Sequence, residues 1–199
     1  MDHESLESYL DRLASDDSTP GGGSAASLVG ALAAALVAMV GRLTLASPKL
    51  AERHERVAAL VARADELRAV SLTGRKADEE AYAAVVAAQR LPRTSDAERQ
   101  TRAASLQCAL AEAAEAPLRN AQTALEILRL AGEMAQAGTP HAQSDVRCAQ
   151  TFARAAITGA FENVRVNHAY IKDEALIDAQ RARMAAIERA AGDLSAQRA

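Results

Sequence analysis

Residues 19–44, TPGGGSAASLVGALAAALVAMVGRLT, join a glycine-rich segment to a long apolar one. A proline and three consecutive glycines cannot continue a helix, so residues 15–24 are predicted to form a loop. From residue 24 to residue 44 the side chains are small or apolar, and Arg42 is the only charged one. A helix that is apolar all round is typical of the buried centre of a bundle. The sequence therefore predicts a loop followed by a central core helix.

Small residues recur every four positions along this predicted helix, at Ala26, Gly30, Ala34 and Ala38. Such a stripe lets another helix approach closely, either one of this chain or one from a second subunit. The length of the apolar segment also raises the alternative of a membrane span. Most of its residues are Ala, Gly and Ser, which gain little from lipid. We therefore expect a core helix and no membrane association.

Apolar residues recur at helical spacing on both sides of this segment, and no segment shows strand alternation. Pro117 is expected to break a helix, Gly74 to end one, and Ser95 and Glu98 to form a capping box. Helices are predicted over residues 3–14, from Ser47 to Gly74, over 76–91, from Ser95 to Pro117, from there to Ala137, from Ser144 to Ile171, and from Asp173 onward. The predicted fold is all-α, a single-domain bundle of long helices over residues 1–199.

Composition excludes several classes of function. The net charge of −3 argues against non-specific nucleic-acid binding, which needs many Lys and Arg side chains on phosphates. Two cysteines, Cys108 and Cys148, stand in no CxxC or Cys/His spacing, so we expect neither a disulfide framework nor a metal site. The acidic, amphipathic start has no apolar run typical of a secretory signal. We expect a cytoplasmic protein.

The glycine loop is the sharpest local signal of a binding site. Glycines let backbone amides converge, for example through positive φ at Gly22, and the following helix contributes the positive end of its dipole. Together they predict a site for an anion or a carbonyl oxygen. The loop lacks the Gly-Lys-Ser/Thr ending of a Walker loop and the preceding strand of a Rossmann fingerprint. A tight turn that starts a buried helix would account for the same residues.

Five ordered motifs resemble the cyclodeaminase/cyclohydrolase family of folate enzymes. The first is the opening stretch, residues 19–44. The others are Asp78-Glu-Glu-Ala-Tyr82, Leu91-Pro92 with the helix after it, Glu115-Ala-Pro-Leu118, and Ser144-Asp145-Val146 followed by Asn163-Val-Arg-Val-Asn167. They span nearly the whole chain. The resemblance implies an all-helical homodimer and a tetrahydrofolate substrate, with no further cofactor.

The resemblance also assigns candidate site residues. Asp78 begins the motif that holds the family's catalytic aspartate, whereas its acidic cluster alone would equally suit a helix start. Asp145 is the second catalytic candidate. The substrate-binding candidates are Pro20, Gly21, Gly22, Gly23, Ser24, Ser144, Asn163 and Asn167. Asn163 and Asn167 are four residues apart and share a helix face.

The sequence leaves three functions open. The first hypothesis is formiminotetrahydrofolate cyclodeaminase, which forms 5,10-methenyltetrahydrofolate and ammonia, with Asp78 moving the proton. The second is methenyltetrahydrofolate cyclohydrolase, in which water attacks the same carbon. The third is a non-catalytic helical dimer that binds folate or a protein. It is motivated by residues 138–141, which lack the asparagines that family members commonly have there.

Overall fold

The computed structural model of the chain describes residues 4–196, and within that range it contains six α-helices and no strand. The helices are α1 (Leu6–Leu13), α2 (Gly22–Leu45), α3 (His54–Gln89), α4 (Asp96–Ala137), α5 (Gln143–His168) and α6 (Glu174–Ala196). Short 3-10 helices, Pro48–Arg53 and Pro140–Ala142, precede α3 and α5. The predicted all-α class is confirmed. Residues 1–3 and 197–199 of the predicted domain 1–199 lie outside the described residues.

Helix α2 is the centre of the bundle and packs against α3, α4 and α5. Its small-residue stripe is used within the chain, because a Cβ atom at Gly159 of α5 would lie only 3.1 Å from the Cβ of Ala26. Farther along α2, Ala33, Ala34 and Val37 are fully buried. Small side chains thus bring α2 and α5 close together, and this closeness positions the site described below.

One face of α2 remains uncovered in the single chain. Leu32, Met39 and Leu43, spaced seven and four residues apart, are 49%, 38% and 50% exposed. By length and composition α2 is also apolar enough to cross a membrane, although half of its most apolar window is buried inside the bundle. The helix therefore has a core side and an apolar outer side.

Gly74 does not end a helix, contrary to the sequence prediction of two helices meeting there. Helix α3 runs without interruption from His54 to Gln89. A Cβ atom at Gly74 would lie 2.1 Å from Oδ1 of Asn120 in α4, whose side-chain amide donates to the Gly74 carbonyl at 3.3 Å. The glycine allows a close approach of two helices, a tertiary requirement that local sequence does not reveal.

Pro117 does not break a helix either, and the predicted break there is wrong. Helix α4 begins with the predicted capping box of Ser95 and Glu98 and continues through the buried Pro117 to Ala137. Proline lacks the N–H that would bond the carbonyl of Ala113 four residues earlier. The side-chain amide of Asn167 donates to that carbonyl instead, at 3.0 Å. The neighbouring helix α5 thus repairs the defect.

Helix α5 begins at Gln143, so Ser144 lies inside its first turn and is not the predicted cap. The N-cap is Ala142, at the end of the 3-10 helix that supplies the entry to α5. Gln143 donates its side-chain amide to the carbonyl of Ala135 at 3.0 Å, and Ser144 is exposed. The predicted helix start was therefore placed too late in the sequence.

Helix α6 is tied to the bundle through Glu115. Arg183 donates to both carboxylate oxygens of Glu115 at 2.8 and 2.9 Å, and Gln180 donates to the same group at 3.1 Å. His168 bonds Gln180 at 2.9 Å. His168 therefore joins α5 to α6.

Candidate functional site

A cavity of about 550 Å³ opens between the start of α2, the second half of α3, the middle of α4 and the end of α5. Leu110 and Ala113 form a buried apolar wall, whereas Tyr82, Val166 and Tyr170 are exposed at its mouth. The lining residues are Ser18, Thr19, Gly21, Asp78, Tyr82, Val85, Gln89, Leu106, Gln107, Leu110, Ala113, Asn163, Val166, Asn167, Tyr170 and Lys172.

Asp78 lies directly against the start of α2. A Cβ atom at Gly23 would lie 2.2 Å from Oδ1 and 2.6 Å from Oδ2 of Asp78, so only glycine fits at that position. No glycine among residues 4–196 has positive φ, so the expectation of positive φ at Gly22 is wrong. Gly23 is needed for the close approach of the Asp78 carboxylate to the backbone.

The surroundings of Asp78 raise its pKa from 3.8 to about 6. Burial is the largest cause, because it disfavours the charged form. A backbone hydrogen bond from Ser24 acts in the opposite direction, and the negative charge of Glu79 adds to the rise. Near neutral pH the Asp78 carboxylate is mostly ionised, and only a small free energy separates it from its protonated form. Such a group can both accept and return a proton.

The two asparagines of α5 line the cavity beside Asp78. Asn163 donates its amide to the carbonyl of Gly159 at 2.9 Å, and a Cβ atom at Gly22 would lie 3.3 Å from the same nitrogen. The amide nitrogen of Asn167 donates to the carbonyls of Asn163 at 2.8 Å and Ala113 at 3.0 Å. Both side chains therefore have fixed orientations before any ligand binds.

A polar network behind the glycine loop fixes the neighbouring residue, Glu79. The hydroxyl of the fully buried Ser24 donates to Glu79 at 2.8 Å and lies 3.0 Å from the hydroxyl of Tyr9. Arg12 also donates to Glu79, at 3.0 Å, while Arg75 lies 4.6 Å over the Tyr9 ring. Helix α1 is thereby held against α3, and Ser24 supports the site from behind.

The structure brings together most of the residues that the sequence proposed. Gly21, Asp78, Asn163 and Asn167 line the cavity. Gly22 and Gly23 pack against Asn163 and Asp78. Pro20 is buried outside the cavity wall, and Ser24 contributes from behind it.

Ser144 and Asp145 are not brought to this cavity. They lie in the first turn of α5, whereas Asn163 lies 18 residues after Asp145. At 1.5 Å per residue, that separation is about 27 Å along the helix axis. Their assignment to the site stays a prediction, and within one chain it does not agree with the position of the cavity.

Sequence reasoning missed the rim made by Gln107, Tyr170 and Lys172. Gln107 donates to the carbonyl of Tyr170 at 3.1 Å and accepts from the backbone N–H of Lys172 at 2.7 Å. It thereby holds the segment after α5 over the cavity. Extending the spacing of Asn163 and Asn167 by three residues would have reached Tyr170, but no pattern in the sequence indicates Gln107.

Comparison with known proteins agrees with this geometry. Residues 5–186 match the profile of the family described as formiminotransferase-cyclodeaminase. The chain belongs to this family. A solved structure of formiminotetrahydrofolate cyclodeaminase from Thermotoga maritima superposes with a TM-score of 0.86 at 27% identity, and the match covers 96% of this chain and 91% of that one.

The proteins similar to this chain carry two different enzyme names. A methenyltetrahydrofolate cyclohydrolase from Methylorubrum extorquens is 38% identical over 177 residues, which is 88% of this chain and 85% of that protein. The formimidoyltransferase-cyclodeaminase of Rattus norvegicus is 30% identical over 92% of this chain. This chain covers only 34% of the rat protein. The similarity therefore extends to family members of both names, and of these two relatives the bacterial cyclohydrolase is the one of comparable length.

Proposed function

We propose that the chain is a methenyltetrahydrofolate cyclohydrolase. The observation that carries the proposal is the position of Asp78, whose half-buried carboxylate lines a folate-sized cavity and packs against the backbone of Gly23. The reaction needs a group that can take and return a proton next to a bridging carbon. The match with the Methylorubrum extorquens cyclohydrolase, which covers most of both proteins, favours this reaction over ring closure.

The reacting part of the substrate is cationic, because the bridge between N5 and N10 carries one positive charge. An ionised Asp78 attracts that charge, and the attraction is strong in a cavity with apolar walls. The product, 10-formyltetrahydrofolate, has lost the charge. Ionised Asp78 therefore favours binding of the substrate over the product.

The proposed chemistry moves protons through Asp78. Water adds its oxygen to the bridging carbon while the carboxylate takes one proton, which gives a neutral carbinolamine. The bond from carbon to N5 then breaks, N5 takes a proton from Asp78, and the hydroxyl proton leaves to solvent. The sum is one water consumed and one proton released. The pKa of about 6 suits both transfers near neutral pH.

The asparagines and the start of α2 would orient the substrate. Asn163 and Asn167 have fixed amides that can pair with polar atoms of the pterin. The backbone N–H groups of Gly22 and Gly23, at the start of α2, can donate to a carbonyl or hydroxyl oxygen. We propose no metal or additional cofactor for these steps.

Cyclodeaminase activity is the second candidate, and the likeness to the Thermotoga maritima structure over nearly the whole chain favours it. In that reaction N10 attacks the formimino carbon, its proton passes to the departing nitrogen, and ammonia leaves. Asp78 would again carry the proton. The same cavity would therefore serve either reaction.

A parallel assay separates the candidates. Purified protein is given 5,10-methenyltetrahydrofolate, with loss of its absorbance followed, and separately 5-formiminotetrahydrofolate, with ammonia release followed. Cyclohydrolase predicts turnover of the first above the uncatalysed rate and slower turnover of the second. The reverse ratio would assign the chain to ring closure. If the protein binds folate but turns over neither substrate, the hypothesis of a non-catalytic binding protein is supported.

The mouth of the cavity suits the remainder of a folate. Tyr82 and Tyr170 are exposed aromatic side chains, and Lys172 is the one basic residue that lines the cavity among the described residues. We propose that the rings pack on the p-aminobenzoyl group and that Lys172 meets the glutamate carboxylates.

Replacement of Lys172 tests this assignment. Lys172→Gln should raise KM for the glutamylated substrate by about 3–10-fold, the loss of one charge-assisted contact. KM for an analogue without glutamate should not change. The exposed Lys49, on the 3-10 helix before α3, gives the matched control Lys49→Gln. An equal rise in KM for both substrates would show that Lys172 does not contact the glutamate carboxylates.

We further propose a cytoplasmic homodimer without membrane or nucleic-acid partners. The outer face of α2, with Leu32, Met39 and Leu43, is apolar and uncovered in the single chain. A second copy of this chain would bury it. Sedimentation should show twice the chain mass, and Leu32→Glu should shift the protein toward monomer. A monomeric wild type at micromolar concentration would contradict the proposal.

A further inference from the structure

A proline inside a long helix deprives a carbonyl next to the cavity of its usual helical hydrogen-bond donor. Pro117 of α4 has no N–H, so the carbonyl of Ala113 lacks its ordinary helical donor. Ala113 itself lines the cavity. A buried carbonyl without a donor is destabilising, so another group must supply one.

The donor comes from a residue of the site. Nδ2 of Asn167 lies 3.0 Å from the Ala113 carbonyl and 2.8 Å from the carbonyl of Asn163. An asparagine amide has two hydrogens, and these two bonds use both. The side-chain oxygen is therefore the group of Asn167 that remains for a ligand, and it can only accept.

We propose that Pro117 is a positioning residue that fixes Asn167 so that its Oδ1 accepts a hydrogen bond from the folate. This inference rests on the function proposed above. Proline contributes in two ways: it withholds the competing N–H, and its ring keeps the Ala113 carbonyl from its usual helical direction. The side-chain amide of Asn167 is thus held in one orientation before the substrate binds, which lowers the conformational entropy lost on binding.

Pro117→Ala should undo the arrangement while α4 stays helical. The alanine would supply the missing N–H, the Ala113 carbonyl would return to the helical ladder, and Asn167 would lose one of its two anchors. We expect kcat/KM to fall by about 3–10-fold, as for one weakened hydrogen bond. Pro92→Ala, in the exposed loop between α3 and α4, is the matched control and should leave kcat/KM unchanged.

A double-mutant cycle separates positioning from general structure. If Pro117 acts through Asn167, the double variant of Pro117→Ala and Asn167→Ala should be no slower than Asn167→Ala alone. Additive losses would mean that Pro117 acts by another route, and the inference would be overturned. Unchanged kcat/KM in Pro117→Ala would overturn it equally.

NMR of the Asn167 side chain tests the bond without any substrate. Its two amide protons, assigned by their disappearance in Asn167→Ala, should both exchange slowly in the wild type. One should exchange faster in Pro117→Ala. Two slowly exchanging protons in that variant would refute the positioning role. Because this readout does not depend on turnover, failure of the proposed reaction would be recognised separately, by wild-type protein that converts neither folate.

Discussion

Helix α5 carries polar residues at both of its ends, and their surroundings differ. Ser144 and Asp145, in the first turn, are exposed and half-buried, respectively, and lie away from the cavity. Asn163 and Asn167, near the other end, bond to backbone carbonyls and line the cavity. In the sequence, both pairs of polar residues are candidates for the binding site. A polar residue thus belongs to a site when other helices orient it, and the spacing along one helix cannot reveal this.

The largest expected difference between the two regions concerns their carboxylates. Asp78→Asn should lower turnover by about 10²–10⁴-fold, because the amide fills the same space but moves no proton. The variant should be more stable than wild type above pH 6, by about 1–2 kcal/mol, since no charge is buried. Turnover and thermal unfolding measure the two effects.

Two glutamates follow Asp78 on α3, and they differ in their surroundings. Glu79 is unsuitable as a control, because it binds Ser24 and Arg12 in the network behind the glycine loop. Glu80 is exposed on the same helix, and Glu80→Gln should keep full activity. An Asp78→Asn enzyme with most of the wild-type turnover would show that the carboxylate does not carry the reaction.

The glycine loop gives the next largest effect. Gly23→Ala should lower kcat/KM by at least about tenfold and the stability by about 1–3 kcal/mol, because the new Cβ atom would meet the Asp78 carboxylate. Gly132→Ala is the matched control, since nothing lies within 4 Å of its added Cβ atom and Gly132 does not line this cavity. Equal behaviour of the two variants would contradict the steric role of Gly23.

The pH dependence should report the environment of Asp78. With a pKa of about 6, the ionised fraction rises about tenfold from about pH 5 to about pH 7, and kcat/KM should rise with it and then level off. The folded state also binds this proton more tightly than the unfolded state, since the ordinary pKa is 3.8. Stability due to this group is therefore greatest at low pH and declines between about pH 4 and about pH 6. A flat rate profile over this range would exclude Asp78 as the base.

The smallest effect is expected at the start of α5. Asp145→Asn should change turnover by less than about twofold, because Asp145 lies far from the cavity of its own chain. The change is measured in the same assay as Asp78→Asn. A loss above tenfold would show that Asp145 takes part in the reaction and indicate that a second subunit brings it to the site.

Much of the fold could be predicted because it depends on local chemistry. Helical periodicity, the Ser95 capping box and the apolar α2 all reflect nearest neighbours in sequence. Gly74 and Pro117 were misread as helix ends because their reasons lie on other helices, at Asn120 and Asn167. Local propensity is overridden when tertiary packing supplies the missing donor or space.

The site could be predicted only in part for the same reason. Asp78 and the glycine run were found from a motif, but their direct contact required the packing of α3 against α2. Gln107 was missed because a single glutamine in a helix has no distinguishing pattern. Its role depends on a segment more than 60 residues later, whose backbone it binds at Tyr170 and Lys172.

A structure of the protein with bound 5-formyltetrahydrofolate would show whether the one-carbon group of a folate binds beside Asp78. We expect the pterin to lie between Asp78, Asn163 and the start of α2, with the benzoyl group at the mouth of the cavity. Density for the ligand at the Asp145 end of α5, with this cavity empty, would show that the folate binds elsewhere and that Asp78 does not act on it.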